Sequence, residues 1–210
     1  MARGRLITIE GIDGAGKTTL SAALTDALLA RGLDVLALRE PGGVPLAERV
    51  RALVVDPALA VNPRAEALLY AAARAQLVAE QLNPALAAGR WVLLDRFVDS
   101  SLAYQGAGRE LGTETIARIN EFATGGLRAD RTLLLLLDPA TGRARRGDRA
   151  PDRLEAEADA FFARIDGGYR AIAAADPTRV RTLDATLAPE RLLAAALEHL
   201  VDLLDGYRGH

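Results

Sequence analysis

Ile9-Glu10-Gly11-Ile12-Asp13-Gly14-Ala15-Gly16-Lys17-Thr18-Thr19 is the stretch on which the fold turns. Gly11 to Thr18 satisfies G-x-x-x-x-G-K-[ST], following an apolar β-like run and preceding a helical one. That strand, turn and helix context is what the motif requires. Its glycines let the backbone curl until successive N–H groups and a helix N-terminus converge on one anion. The reading assigns Gly11, Ile12, Asp13, Gly14, Ala15, Gly16, Lys17, Thr18 and Thr19 to a nucleotide-phosphate cradle, a P-loop. Lys17 would reach the β- and γ-phosphates and the Thr18 hydroxyl would ligate Mg²⁺. Lysine and arginine together number 26, and Lys17 is the only lysine. A surface salt bridge accepts either cation, whereas a cradle shaped around a compact ammonium does not. The motif names a nucleotide and leaves the reaction open, because motors, switches and kinases share it.

Outward from this loop, β-like runs at 5–10, 34–39, 91–95, 132–138 and 179–183 alternate with helical runs. The helical runs are 17–30, 45–55, 64–87, 113–124, 153–175 and 189–204, with shorter helices after Asp99 and Pro139. Such alternation is the signature of βαβ units. The fold class expected is α/β, a five-stranded parallel sheet of P-loop NTPase type flanked by helices, with residues 1–210 forming one domain. Leu68, Ala72, Ala75 and Ala79 fall at the spacing that lets a helix turn one face inward. Residues 142–153, GRARRGDRAPDR, carry five arginines and form a candidate lid, with Gly142 and Gly147 as points of movement.

Composition bounds the function. Of 210 residues, 50% are hydrophobic and 26% charged, enough for a sizeable core and unlike a disordered chain. A net charge of −2 argues against a broad nucleic-acid-binding face. With no cysteine there is no disulfide, thiolate metal site or cysteine nucleophile. The opening MARGRLITIEG lacks the pattern of a signal peptide, and apolar runs such as the leucines at 133–137 are far short of a membrane span. A cytoplasmic protein without membrane or nucleic-acid partners is expected.

Open α/β sheets hold ligands at the carboxyl ends of their strands. Arg39-Glu40-Pro41-Gly42-Gly43 follows the second strand and Asp95-Arg96 the third. Asp95, ending an apolar strand, suits a Mg²⁺-organising carboxylate, and Arg96 offers a fork to a phosphate. Ser101, Tyr104 and Gln105 recur at helical spacing and could read a base or sugar edge. The lid arginines Arg143, Arg145, Arg146, Arg149 and Arg153 read either as a solvated basic face or as guanidinium groups stabilising a transferring phosphoryl group.

Taken in order, IEGIDGAGKTT, REPGG, AEALLYAAARAQ, LDRFVDSSLAYQG, the RARRG and DRLE lid and LDAT resemble the bacterial thymidylate kinase family across nearly the whole chain. The resemblance implies transfer of phosphate from ATP to dTMP with Mg²⁺, in a homodimer. It implies that Asp13 engages the sugar 3′-hydroxyl and Arg96 the acceptor phosphate. Tyr70, where the family commonly has Phe, would stack on thymine, and Arg74 would bond the base. Glu40, Pro41, Arg51, Ser100, Ser101, Tyr104 and Gln105 complete the implied acceptor site, and Asp184 lies in the implied loop beside the donor adenine. A variant within the family carries an arginine after the P-loop carboxylate, where this chain has Gly14. The transition-state cation is therefore expected from the lid, with Arg146 the best match. Two rival readings are a P-loop kinase of another small acceptor, such as a deoxynucleoside, and an ATPase switch.

Overall fold

The computed structural model describes residues 3–146 and 152–205, the side chain of Arg146 excepted. Its five strands are β1 (Leu6–Gly11), β2 (Val35–Arg39), β3 (Trp91–Asp95), β4 (Arg131–Leu136) and β5 (Val180–Asp184). They form one sheet in the order β2-β3-β1-β4-β5, with every pairing parallel. A parallel sheet covered on both faces needs apolar side chains on both. Along β3, Trp91 and Leu93 enter one core with Leu20, Leu24 and Leu28, while Val92 and Leu94 enter the other with Val50, Val54 and Leu77. The strand order reverses around β1, so the crevice beyond its carboxyl end is the switch point where such sheets bind ligands.

The helices are α1 (Lys17–Leu29), α2 (Pro45–Val55), α3 (Pro63–Leu77), α4 (Asn83–Ala87), α5 (Val98–Ser101), α6 (Thr113–Thr124), α7 (Pro139–Arg146), α8 (Asp159–Ala175), α9 (Pro189–Glu198) and α10 (Val201–Asp205). The run expected at 64–87 is continuous but passes from α3 into α4 through a π-helical turn, Val78–Leu82. Pro84 cannot donate to residue 80 and its ring crowds that carbonyl, which a widened turn relieves. The helix expected from residue 153 starts instead at Asp159. Asp152 Oδ1 accepts the N–H groups of Leu154 and Glu155, and Glu155 Oε2 accepts that of Asp152, a local closure that competes with helix. The run at 189–204 divides after Glu198, and β4 ends at Leu136, two residues earlier than expected.

One expectation about packing is reversed. Leu68 is 58% exposed and Ala72 and Ala79 are also exposed, while Ala67, Ala71, Ala73, Arg74 and Leu77 face inward. This helix is apolar on more than one side, and periodicity by itself does not say which side meets the core. Among the described residues no helix is long and apolar enough to cross a membrane.

Candidate active site

The loop between β1 and α1 curls as its glycines permit, with φ at 81° for Gly14 and 92° for Gly16. Helix α1 follows Gly16, which offers no side-chain cap, and has no acid in its first turn. Its N–H groups are thereby left for an anion. Lys17 is buried, its Nζ donating to the Ile12 carbonyl at 2.9 Å and lying 3.7 Å from Asp13 Oδ1. Burial, and next the nearby Arg96 guanidinium, push its pKa down. Thr18 Oγ1 donates to Asp95 Oδ2 at 3.2 Å, and Asp95 Oδ1 is buried without a hydrogen bond. A hydroxyl beside an unpartnered carboxylate oxygen suits Mg²⁺, a hard cation that takes few protein ligands and completes its shell with water and phosphate. Among the described residues no group of three or more His, Cys, Asp or Glu is placed to hold a metal ion.

Against this loop sits α7, glycine to glycine. A Cβ on Gly14 would lie 2.3 Å from the Gly142 carbonyl oxygen, and one on Gly142 would lie 2.7 Å from that of Asp13. Gly142, expected as a hinge, lies within α7 and serves close approach instead. In this arrangement, with φ at 81° and the Gly142 carbonyl so close, residue 14 has no room for a side chain.

On the other side of Asp13 a single cavity is lined by Asp13, Glu40, Pro41, Arg51, Tyr70, Arg74, Arg96, Ser100, Ser101, Tyr104 and Gln105, together with Val55, Asp152 and Leu154. Every residue assigned to the acceptor from sequence is in this set. Val55, Asp152 and Leu154 were not foreseen as lining residues: Val55 ends α2 outside any motif, and Asp152 and Leu154 lie in the DRLE stretch that the sequence assigned only to the lid.

Arg96 crosses the cavity floor. Its Nη2 donates to Asp13 Oδ1 at 2.6 Å and to the Tyr104 hydroxyl at 3.3 Å, and its Nη1 to the Gly11 carbonyl at 3.1 Å and Ser100 Oγ at 3.2 Å. The guanidinium carbon is 5.0 Å from the centre of the Tyr104 ring. Arg96 adopts φ 70°, a left-handed conformation that costs a non-glycine residue about 1–3 kcal/mol. Arg74 is buried with all its donors engaged: Nε on Glu40, Nη1 on Ser101 at 2.8 Å and on Asn120, Nη2 on the Phe97 carbonyl at 2.9 Å and on Glu40. A bond from Arg74 to a base must replace one of these. Glu40 Oε1 is buried without a hydrogen bond, and burial raises the Glu40 pKa against the opposing pull of Arg74.

Two buried carboxylates outside the cavity lining support it. Glu66, wholly buried on α3 one turn before Tyr70, accepts from Gln105 Nε2 at 2.9 Å, Arg109 Nη2 at 3.1 Å and Arg153 Nη2 at 2.7 Å. Glu10, wholly buried in β1, accepts from the Phe97 N–H at 2.7 Å, Ser100 Oγ at 2.5 Å and the Tyr169 hydroxyl at 3.2 Å. Burial, and next the proximity of Asp99, push its pKa up to about 7. Sequence held one signal for each: a lone carboxylate in an otherwise apolar strand, and another four residues before an aromatic.

The lid arginines divide. Arg143 pairs with Asp159 at 2.9 Å, Arg145 donates to the Ala185 carbonyl at 2.8 Å, and Arg153 donates to Glu66 and to the Val54 carbonyl at 2.9 Å. Arg153 is thus an anchor and not a free cation. The side chain of Arg146, and Gly147 and Arg149, lie outside the described residues. A second groove is lined by Gly14, Ala15, Gly16, Thr19 and Arg145 with Ala185, Leu187, Pro189 and Leu192. Asp184 does not line it; its carboxylate accepts from Thr186 N and Oγ1 at 2.8 and 2.7 Å and so shapes the loop that brings Ala185 there.

A family model described as thymidylate kinase matches residues 9–195. The thymidylate kinase of Deinococcus radiodurans is 51% identical over 197 residues, covering 92% of this chain and 95% of that protein. That of Rhizorhabdus wittichii is 48% identical over 205 residues, covering 96% and 99%, and that of Oenococcus oeni is 46% identical over 213 residues, covering 99% and 100%.

Proposed function

The chain belongs to the thymidylate kinase family, and from that premise we propose how its residues divide the work of phosphorylating dTMP. The protein is a dTMP kinase, making dTDP on the route to dTTP, with a nucleotide as phosphoryl donor. The observation that carries the division of roles is spatial: the acceptor cavity and the P-loop share Asp13 and meet at Arg96.

In this reading the donor is ATP. Its phosphates lie along the N–H groups at the start of α1, with Lys17 released from the Ile12 carbonyl to the β- and γ-phosphates. The second groove, walled by Leu187, Pro189 and Leu192, takes the adenine on an apolar surface. Thr18 and Asp95 would hold Mg²⁺, which neutralises phosphate charge when bound. Arg96 grips the dTMP phosphate and Asp13 the sugar hydroxyl. Tyr70 supplies a stacking face, and Ser101 and Gln105 supply polar groups at the base edge. An oxygen of the dTMP phosphate attacks the γ-phosphorus, the bond to the β-phosphate oxygen breaks, and ADP leaves. Charge spread over the transferring group is met by Lys17, Arg96 and Arg146.

The same reading includes a homodimer. Leu46 and Leu53 on α2, Leu68 on α3 and Phe122 on α6, the last 92% exposed, sit on helices packed side by side, and a second copy of the chain would cover them. The same reading puts the protein in the cytoplasm with its nucleotide substrates and without a nucleic-acid partner, in keeping with a net charge of −2.

An assay of ADP release with ATP, Mg²⁺ and a panel of nucleosides and nucleoside monophosphates tests the reading. Release is expected with dTMP and not without an acceptor. Acceptor-independent release would favour a switch, and release with thymidine in place of dTMP a nucleoside kinase.

A further inference from the structure

Arg96 is held in a conformation its own backbone resists, so something else must hold it. Its N–H donates to the Ile9 carbonyl at 3.0 Å as the chain leaves the sheet, and the next N–H, that of Phe97, turns to Glu10 Oε1 at 2.7 Å. The other Glu10 oxygen takes the Ser100 hydroxyl at 2.5 Å, and the same Ser100 Oγ accepts from Arg96 Nη1 at 3.2 Å. Tyr169, reaching in from α8, closes the group at 2.9 Å from Ser100 Oγ and 3.2 Å from Glu10. Glu10 does not line the acceptor cavity and has no place in the division of roles above. A carboxylate accepts and never donates when ionised, and burying one in an apolar strand is unfavourable unless both oxygens are satisfied. Both oxygens of Glu10 are used on the residues that set Arg96.

We propose that Glu10 is a positioning residue for the acceptor phosphate: one oxygen clamps the Arg96–Phe97 turn, and the other, through Ser100, sets the plane of the Arg96 guanidinium. The inference rests on the reading that Arg96 grips the dTMP phosphate. A carboxylate that merely stabilised the fold would weaken both substrates alike and would do so whether or not Arg96 were present. One that acts through Arg96 affects dTMP alone and loses its effect once Arg96 is gone.

Steady-state kinetics on the full chain, with dTMP and ATP varied in turn, separate these cases for Glu10→Ala, Glu10→Gln, Arg96→Ala and the Glu10→Ala/Arg96→Ala pair. Glu10→Ala is expected to raise the KM for dTMP about tenfold or more and to leave that for ATP within about twofold. Glu10→Gln, whose amide oxygen still accepts from Phe97, is expected to stay within about threefold of the parent. Placed on Arg96→Ala, Glu10→Ala is expected to add less than about twofold. The proposal is overturned if Glu10→Ala moves both KM values equally or neither, or if its full effect persists on Arg96→Ala. An unchanged KM for dTMP in Arg96→Ala alone would refute the reading of Arg96 and the proposal with it, and no Glu10 variant is needed to see that. If Glu10→Ala does not fold, Ser100→Ala takes its place, because it cuts the link to the guanidinium and leaves Phe97 on Glu10. A rise in the dTMP KM that vanishes on Arg96→Ala then supports the proposal, and an effect equal in both backgrounds overturns it.

Discussion

In the proposed division of roles, the donor half of the crevice is built from main chain, whereas the acceptor half is built from side chains that hold one another. Around the P-loop, the proposed donor site consists of glycine conformations, the open start of α1 and a single ammonium, all within a few consecutive residues. Around the acceptor, Arg96 and Arg74 each engage several partners brought from separate strands and helices, and Glu10 and Glu66 brace them from behind. A main-chain cradle has no substitute for its one cation. A side-chain network shares its task, so single losses there should be graded.

That contrast can be broken most decisively at Arg146. If the transferring charge needs a cation beyond the P-loop, Arg146→Ala should lower kcat on the order of 10³-fold with little change in either KM. A kcat above about a tenth of the parent value would move that cation elsewhere. Next is Lys17, where both Lys17→Ala and Lys17→Arg should lower kcat about 10²–10³-fold while the thermal melt stays near that of the parent. Near-normal turnover in Lys17→Arg would mean that the cradle is not shaped around an ammonium. On the acceptor side, Tyr70→Ala should weaken dTMP about ten- to hundredfold, roughly 1–3 kcal/mol, and spare ATP. Equal loss for both substrates would make Tyr70 a packing residue.

Arg153→Ala sharpens the comparison within the lid itself. Its guanidinium sits on buried Glu66, which keeps Arg109 and Gln105 when Arg153 is removed. Stability should fall by about 1–3 kcal/mol in urea unfolding, with kcat changed by less than about threefold. A collapse of kcat without loss of stability would return Arg153 to the chemistry. The smallest effect is a slope with pH. Glu10 is pushed up to about 7 in the folded protein from an ordinary 4.5, so the folded state binds a proton more tightly than the unfolded one. Stability from this group is full below about pH 4.5 and is lost as pH rises through about 7. Unfolding measured from pH 5 to 8 should show that decline, and Glu10→Gln should flatten it; identical slopes would show that Glu10 is not its source.

Legibility from sequence follows the same division. All five strands and the P-loop were readable because their signals are local: apolar runs between turns, and glycines where φ is positive. The residues that line the cavity beside Asp13 could be named from sequence because most of them lie in short motifs at strand ends and along one helix. Glu10 and Glu66 escaped because their partners are remote in the chain: Ser100 and Tyr169 for one, Gln105, Arg109 and Arg153 for the other. The stripe at Leu68 misled for a different reason, since an apolar face has the same periodicity whether it meets a core or a second molecule. Asp152 diverted its segment from helix by capping its own N–H neighbours, a choice that helical spacing does not register.

The glycine-to-glycine contact between residues 14 and 142 has a consequence for substitution. One substitution cannot bring an arginine into the loop while α7 stays in place, because a Cβ at 14 meets the Gly142 carbonyl oxygen at 2.3 Å even before the length of the side chain is considered. The α7 segment would first have to withdraw, and any cation that the lid supplies would withdraw with it. Positions 14 and 142 are therefore coupled, and a side chain at one calls for a compensating change around the other. Libraries that vary residues 14 and 139–146 together should recover active chains that libraries of either region alone do not contain.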